Sequence, residues 1–147
     1  MALIYETPHF IIESAEQPFV SREEGGHIRI MPKVKVEDRT KLSPELAKEL
    51  MKFSMIVGEA MKVGMEKCGV ELGRINYQDM GNWGPTLHLH IFGRAKTAIK
   101  QKFGEAVSLP KRDTGFYDTF KPLDEKDRSI IKQEIEKLVE TEKYKNF

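Results

Sequence analysis

The stretch PTLHLHIFGR, Pro85–Arg94, alternates polar and apolar side chains and is the clearest strand signal in the chain. Successive side chains of a β-strand point to opposite faces of the sheet, so this period of two predicts a strand over Thr86–Phe92. One face of this strand is aliphatic and carries Leu87, Leu89 and Ile91. The other face carries His88 and His90. The stretch therefore predicts two neighbouring imidazole side chains on one face of a sheet.

Four more strands are predicted from short apolar or alternating runs bounded by turn-forming residues. They are Leu3–Tyr5, Phe10–Ile12, His27–Pro32 and Arg74–Gln78. If the apolar side chains of the last two strands and of Thr86–Phe92 pack against one core, their polar side chains collect on the opposite face. That polar face would carry His27, Arg29, Arg74, Asn76, Gln78, His88 and His90. It would hold three of the four histidines of the chain.

Two amphipathic helices are predicted where the period changes to 3.6 residues. The first is about 24 residues long, with Ser43 suited to its N-cap, Pro44 to its first turn and Gly69 to its end. The second runs from about Asp124 to Lys143. These elements predict an α+β fold, a five-stranded antiparallel sheet with a long helix between strands three and four and a C-terminal helix. Both helices would cover one sheet face, and the other face would be open.

The composition excludes several classes of protein. A chain of 147 residues is long enough for one domain, and 24 basic against 23 acidic side chains give a net charge of +1. No global field therefore favours a nucleic acid or an anionic membrane. The chain has one cysteine, no apolar run near the roughly 18 residues of a membrane span, and no signal-peptide pattern at its start. We expect a cytoplasmic protein with no internal disulfide and no nucleic-acid or membrane partner.

The two histidines at alternate positions permit two chemistries. With His27 as a third ligand, His88 and His90 would bind a metal ion and leave a fourth position to water. Without a metal, one imidazole would attack phosphorus and the other would bind the phosphate. A neutral imidazole is nucleophilic near pH 7, and a ring N–H offsets charge on phosphoryl oxygens. The spacing alone leaves both chemistries open.

Three segments resemble the histidine triad (HIT) superfamily, whose signature is three histidines alternating with apolar residues in a strand. TLHLHIFGR matches the second and third of these in His88 and His90, and has Thr86 in place of the first. GGHIRIMPK, Gly25–Lys33, resembles the family's GHxLVIPK strand, and VEDRTKLSPELAKEL resembles its entry into the long helix. The resemblance covers about Leu3–Arg94 and is to a small, prokaryotic-type member with a C-terminal extension.

The resemblance implies one domain over residues 1–147, with a HIT-like core at about 3–94 and an extension at about 95–147. It implies a homodimeric nucleotide hydrolase or nucleotidyl transferase that acts at the α-phosphorus of a purine nucleotide. The bond cleaved would be a phosphoanhydride or a phosphoramidate, as in dinucleoside polyphosphates and nucleoside phosphoramidates. Neither a cofactor nor a metal is implied.

By the same resemblance, His88 would be the nucleophile that forms a nucleotidyl-histidine, His90 would bind the phosphate and assist the leaving group, and His27 would support the site. Substrate binding is assigned to Asn76, Gln78, Asn82, Thr86 and Arg94. In the family the main-chain carbonyl of the first triad residue orients the nucleophile, and a threonine supplies the same carbonyl. Two alternatives are a catalytically weak nucleotide-binding module and a metal enzyme built on His27, His88 and His90.

The extension contains an excess of lysine and arginine. One interpretation is a loop over the site that contacts further phosphates of a substrate. The other is a solvated surface. The residues concerned are Lys96, Lys100, Lys102, Lys111 and Arg112.

Overall fold

The computed structural model describes residues 2–147, and its centre is a five-stranded antiparallel sheet. The strands are β1 (Ala2–Glu6), β2 (Phe10–Ser14), β3 (His27–Pro32), β4 (Arg74–Gln78) and β5 (Leu89–Arg94). Their order across the sheet is β1-β2-β3-β5-β4, so β5 lies between β3 and the edge strand β4. The predicted α+β fold with five antiparallel strands is confirmed.

The last strand, β5, is shifted along the chain from the predicted Thr86–Phe92. Its first residue, Leu89, pairs with Ile30 on β3. The residues just before it leave the ladder, and the Leu87 N–H donates to the Val36 carbonyl, 2.8 Å away, in the segment after β3. The predicted start of this strand at Thr86 was wrong. An alternating pattern identifies the two faces of a strand, but it does not show where the pairing with a neighbouring strand begins.

The long helix α1 spans Pro44–Lys67, as the periodicity predicted. The Ser43 hydroxyl oxygen accepts a hydrogen bond from the Leu46 N–H at 3.2 Å, which satisfies one of the free donors of the first turn. The helix ends at Lys67 with Cys68 as its C-cap, and Gly69 follows with a positive φ of 89°. The buried side chains of α1 join the main core: Leu50, Phe53, Ile56, Val57, Ala60, Met61 and Met65.

The C-terminal helix is divided into α2 (Glu125–Val139) and α3 (Glu142–Lys145), where the sequence predicted one helix. A capping box at Asp124 begins α2, which packs against α1 and β1. The break falls at Thr141, whose hydroxyl donates to the Leu138 carbonyl at 2.6 Å and so competes with helical bonding. Single-turn 3-10 helices lie at Arg22–Glu24, Arg39–Lys41 and Arg112–Thr114. Within residues 2–147, none of the helices has the length and apolar character needed to cross a membrane.

The second face of the sheet is partly covered, which corrects the expectation that it would be open. Phe92 of β5 lies on this face and is fully buried. It forms a small apolar cluster with Phe19, Val20, Val107, Leu109 and Tyr117. Burying a phenylalanine is worth about 2 kcal/mol, and the chain that follows β5 provides much of the cover.

The buried side chain of Arg94 and the partly buried side chain of Glu24 hold the segment after β5 against the sheet. The Arg94 guanidinium donates to the carbonyls of Lys102 and Glu105, each at 2.8 Å. The Glu24 carboxylate accepts hydrogen bonds from the three successive N–H groups of residues 99–101. Charge-assisted hydrogen bonds are stronger than neutral ones, so this irregular segment has a defined position.

Candidate active site

The strand register brings His27 and His90 to the same face of the sheet. In the ladder between β3 and β5, His27 pairs with Phe92 and Arg29 pairs with His90, and directly paired residues share a face. His88 lies just before β5, with its ring centroid 4.7 Å from that of His90. The structure thus brings together the three histidines that the sequence predicted on the polar face.

His88 is oriented by a main-chain carbonyl. Its Nδ1 lies 2.6 Å from the carbonyl oxygen of Thr86. A carbonyl can only accept, so Nδ1 carries the ring proton and Nε2 of the neutral ring carries the lone pair. The ring is half-buried, and the small Gly84 lies beside its Cε1. In its neutral form, His88 therefore presents the lone pair of Nε2 on a side chain that is still accessible.

His27 and His90 form a hydrogen-bonded inner pair. The Phe19 N–H donates to His27 Nδ1 at 3.1 Å, so the proton of a neutral His27 must be on Nε2. That Nε2 lies 2.8 Å from His90 Nδ1 and donates to it. A neutral His90 then carries its own proton on Nε2. The inner pair therefore leaves one N–H donor, that of His90 Nε2, for a ligand.

Burial keeps the inner pair neutral. Burial first, and then the nearby His90 and Arg29, lower the pKa of His27 well below its usual value of 6.5. Burial also lowers the pKa of His90 to about 4, with smaller contributions from His88 and Arg29. Both rings are therefore uncharged at pH 7. An anion bound beside His90 would raise its pKa again.

The three histidines line a cavity of about 740 Å³, which is within the range of small-molecule sites. Two of the predicted binding residues, Asn82 and Thr86, line the same cavity. The rest of the wall comes from β3, from the loop after β2, from the loop before β5, and from the segment after β5. It includes Glu16, Phe19, Gly81, Trp83, Leu109 and Arg112.

Three other predicted binding residues do not line this cavity. Arg94 is four residues beyond His90, roughly 13 Å along the strand, and its guanidinium donates to Asn76 Oδ1 at 2.5 Å. Only 3% of Arg94 is exposed. Gln78 is next to His90 in the ladder, but its amide nitrogen lies 4.0 Å from the sulfur of Met80. The alternating pattern identifies the sheet face of a residue but not its distance from the histidines along the strand.

The loop after β2 contributes cavity residues that no sequence pattern indicated. Phe19 stacks on His27 with ring centroids 5.5 Å apart, in addition to its N–H contact with the same ring. Glu16 and Gln17 of this loop also line the cavity. Irregular loops have no periodicity, so only the tertiary structure reveals these contacts.

The geometry does not support the metal site considered above. The residues that the structure describes contain no group of three His, Cys, Asp or Glu side chains arranged to hold a metal ion. Both ring nitrogens of His27 are engaged, one with the Phe19 N–H and one with His90. His27 would have to give up one of these bonds to become a ligand.

A five-stranded α+β sheet with an oriented histidine and a neutral histidine pair in one cavity defines a protein of the histidine triad class. The family model described as the HIT domain matches residues 1–97, and the chain belongs to this family. Members are generally nucleotide hydrolases or transferases. A search of curated protein sequences gives no significant match.

Solved structures of histidine triad proteins have the same fold. A hypothetical histidine triad nucleotide-binding protein from Sulfolobus tokodaii is 18% identical, with a TM-score of 0.61 over 93% of this chain and 85% of that chain. A histidine triad protein from Bradyrhizobium japonicum is also 18% identical, with a TM-score of 0.62 over 90% and 89%. A zinc-bound histidine triad family protein from Mycobacterium smegmatis is 18% identical, with a TM-score of 0.58 over 92% of this chain and 84% of that chain. At these identities the similarity concerns the fold.

Proposed function

We propose that this protein is a nucleotide hydrolase or nucleotidyl transferase that cleaves a phosphoanhydride or phosphoramidate bond at the α-phosphorus of a purine nucleotide. Dinucleoside polyphosphates and nucleoside phosphoramidates are the proposed substrate classes. The observation that carries the proposal is the 2.6 Å contact between His88 Nδ1 and the Thr86 carbonyl oxygen. This contact keeps the proton on Nδ1 and leaves the Nε2 lone pair available for attack.

The proposed reaction has two steps at one phosphorus atom. In the first, the Nε2 lone pair of His88 forms a bond to the α-phosphorus, and the bond to the leaving oxygen or nitrogen breaks with its electron pair. The leaving group then takes up a proton from solvent. In the second step, a water oxygen attacks the same phosphorus, the P–N bond breaks with its electron pair returning to Nε2 of His88, and the water gives up a proton to solvent. The products are a nucleoside monophosphate and regenerated His88. In a transferase, another nucleophile replaces the water.

We assign phosphate binding to His90 and its positioning to His27. The Nε2–H of a neutral His90 would donate to a phosphoryl oxygen and offset the charge that develops as the leaving group departs. His27 donates to the other nitrogen of His90 and thereby keeps the proton of His90 on the cavity side. In this proposal, the positioning of His90 by His27 requires no metal ion.

The direct test is hydrolysis of a dinucleoside polyphosphate and of an adenosine phosphoramidate by wild-type protein and by His88→Ala. We expect turnover by the wild type, none by the variant, and an acid-labile adenylyl adduct on the wild type in a rapid quench. The matched control is His9→Ala, because His9 is an exposed histidine bonded to Glu49 and does not line the cavity. Equal hydrolysis by wild type and His88→Ala would refute the assignment of the nucleophile.

The alternatives make different predictions in the same assay. A catalytically weak binding module would bind adenosine monophosphate yet turn over neither substrate. A metal enzyme would lose activity with chelators and regain it with added zinc. The accessible, oriented Nε2 of His88 favours a hydrolase over a binding module, and the engagement of both His27 ring nitrogens disfavours the metal enzyme.

We also propose that the protein is a homodimer in which two β4 strands pair. Strand β4 is at the edge of the sheet, so one row of its backbone groups has no ladder partner within residues 2–147. Beside it lies a groove of about 480 Å³ lined mostly by apolar side chains, including Met51 and Tyr77. These two side chains are 55% and 48% exposed. A second copy would cover them and continue the sheet across the interface.

Light scattering after size-exclusion chromatography tests the dimer. We expect a dimeric mass for the wild type and a monomeric mass for Met51→Glu, which places a charge in the groove. Val63→Glu is the control, because Val63 is an exposed apolar residue on α1 that does not line the groove. A monomeric wild type at micromolar concentration would contradict the proposal.

A further inference from the structure

One wall of the cavity is built by chain that lies outside the family match. The match ends at residue 97, whereas Leu109 and Arg112 both line the cavity beside the histidines. Leu109 also packs in the apolar cluster around Phe92. The extension is therefore part of the candidate site, and Arg112 is the charged group that it contributes.

The Arg112 guanidinium is held in place by two aromatic rings. Its Cζ lies 4.3 Å from the centre of the Phe19 ring and 4.8 Å from the centre of the Tyr117 ring. One of its terminal nitrogens donates to the carbonyl of Gln17 at 2.8 Å. The Tyr117 hydroxyl is itself bonded to the Pro110 carbonyl at 2.7 Å, which holds that ring in position. A planar guanidinium ordered in this way loses little entropy when its remaining N–H groups bind a ligand.

The hydrogen bond of Arg112 is to an uncharged backbone group. The other arginine of the cavity, Arg29, contacts the buried carboxylate of Glu13 at 2.5 Å. Among residues 2–147, no carboxylate forms an ion pair with Arg112, and its hydrogen-bond acceptor is a neutral carbonyl. Because a guanidinium is not deprotonated in proteins, Arg112 places a positive charge at the cavity wall.

The position of Arg112 indicates which part of a ligand it would bind. The Phe19 ring neighbours both Arg112 and the inner pair: its centroid lies 4.3 Å from Arg112 Cζ, 5.5 Å from the His27 ring and 6.0 Å from the His90 ring. Arg112 and the inner pair thus have the Phe19 ring as a common neighbour in the cavity wall. A phosphorus attacked by His88 would lie on the histidine side, and a group further along the same ligand would reach the arginine.

We infer that Arg112 is a specificity-determining residue that binds an anionic group of the substrate beyond the reacting phosphorus, so that it selects nucleotides with a second phosphate over monophosphates. The inference rests on the proposed function, because it takes the phosphorus beside His88 as the reacting one. Guanidinium groups suit such a role because their fork of donors matches the oxygens of a phosphate.

The test compares two ligands by calorimetry, adenosine monophosphate and α,β-methylene adenosine diphosphate, which has a second phosphonyl group and a bridge that resists cleavage. We expect wild-type protein to bind the diphosphate analogue about tenfold more tightly or better, as one charge-assisted contact allows. In Arg112→Gln, this preference should fall to near unity while the affinity for the monophosphate is kept. Arg112→Lys, which retains the charge, should keep part of the preference.

The matched control is Lys111→Gln, which removes one positive charge at the adjacent exposed position that does not line the cavity. This control should keep the wild-type preference. An unchanged preference in Arg112→Gln, an equal loss in Lys111→Gln, or an equal loss of affinity for both ligands in Arg112→Gln would each overturn the inference. An unchanged preference in Arg112→Gln, or an equal loss in Lys111→Gln, would not contradict the proposed function, provided that the monophosphate still binds. Failure of the wild type to bind either nucleotide would overturn both.

Discussion

The Nδ1 atom of His88 lies 2.6 Å from the carbonyl oxygen of Thr86, two residues earlier in the same chain. The acceptor belongs to the backbone, so this contact depends on the local conformation and not on the side chain at position 86. The half-buried His88 ring is therefore oriented without a histidine at the first triad position. This relationship explains how a threonine at position 86 is compatible with the proposed role of His88 as the nucleophile.

We predict that Thr86→Ala keeps kcat within about threefold of the wild-type value, because the carbonyl remains. His88→Asn should lower single-turnover hydrolysis of an adenosine phosphoramidate by about a thousandfold or more, since it removes the attacking nitrogen. If Thr86→Ala were as inactive as His88→Asn, the threonine side chain would have a role that the carbonyl contact does not explain.

His27 should act as a positioning residue for His90. We expect His27→Leu to lower kcat by about tenfold or more, because it removes the donor to His90 Nδ1 and leaves the buried Phe19 N–H without an acceptor. His27→Gln can both accept from the Phe19 N–H and donate to His90, and should restore part of the rate. Steady-state kinetics of the two variants check this. The same loss in both would mean that the hydrogen bonds of His27 are not the reason for its effect.

The buried inner pair should make stability depend on pH. Since the folded protein holds the pKa of His90 at about 4 and that of His27 well below 6.5, the unfolded chain takes up protons first as the pH falls. Stability is then complete above about pH 6.5 and declines below it, with the contribution of His90 lost by about pH 4. Each histidine adds a slope of up to about 1.4 kcal/mol per pH unit.

Urea unfolding between pH 4 and pH 8 measures this slope. In His90→Asn the free energy of unfolding should fall less steeply between pH 6.5 and pH 4 than in the wild type. Parallel curves for the wild type and His90→Asn would contradict a neutral, buried His90.

Gly93 in the IFGR sequence is required by a close approach of two backbones. A Cβ atom at this position would overlap the carbonyl oxygen of Gly25, in the turn that leads into β3. We expect Gly93→Ala to lower the free energy of unfolding by about 3 kcal/mol, since neither backbone segment can move without breaking sheet contacts. Gly104→Ala is the control, with open space around the new methyl group and an expected change within about 0.5 kcal/mol. Similar losses in the two variants would point to a general effect of replacing glycine.

The amino-acid sequence predicted the elements whose signals are local. The bounds of α1 follow from its N-cap Ser43, from Pro44 and from Gly69, all of which act within one helical turn. The common face of His27 and His90 follows from the period of two in each strand. Residues 86–88 show the limit of this signal, because their alternation is regular but no neighbouring strand continues beside them.

The composition of the cavity required the tertiary structure. The 2.8 Å contact of His27 with His90 joins two strands that are 63 residues apart in the chain. Phe19 comes from an irregular loop and Arg112 from a segment 93 residues further on, yet their side chains stack on each other. The same holds for Asn76 of the predicted polar face, which accepts a hydrogen bond from Arg94 away from the cavity.

The sequence by itself determined the strands, the long helix and the face that carries the histidines, because backbone periodicity and helix caps act between residues close in the chain. Only the tertiary structure decided the order of the strands, the inner pair of His27 and His90, and the position of Arg112 in the cavity wall. These depend on burial and hydrogen bonding between distant segments, such as the cover over Phe92 and the bonds that hold the segment after β5. No local pattern encodes such contacts.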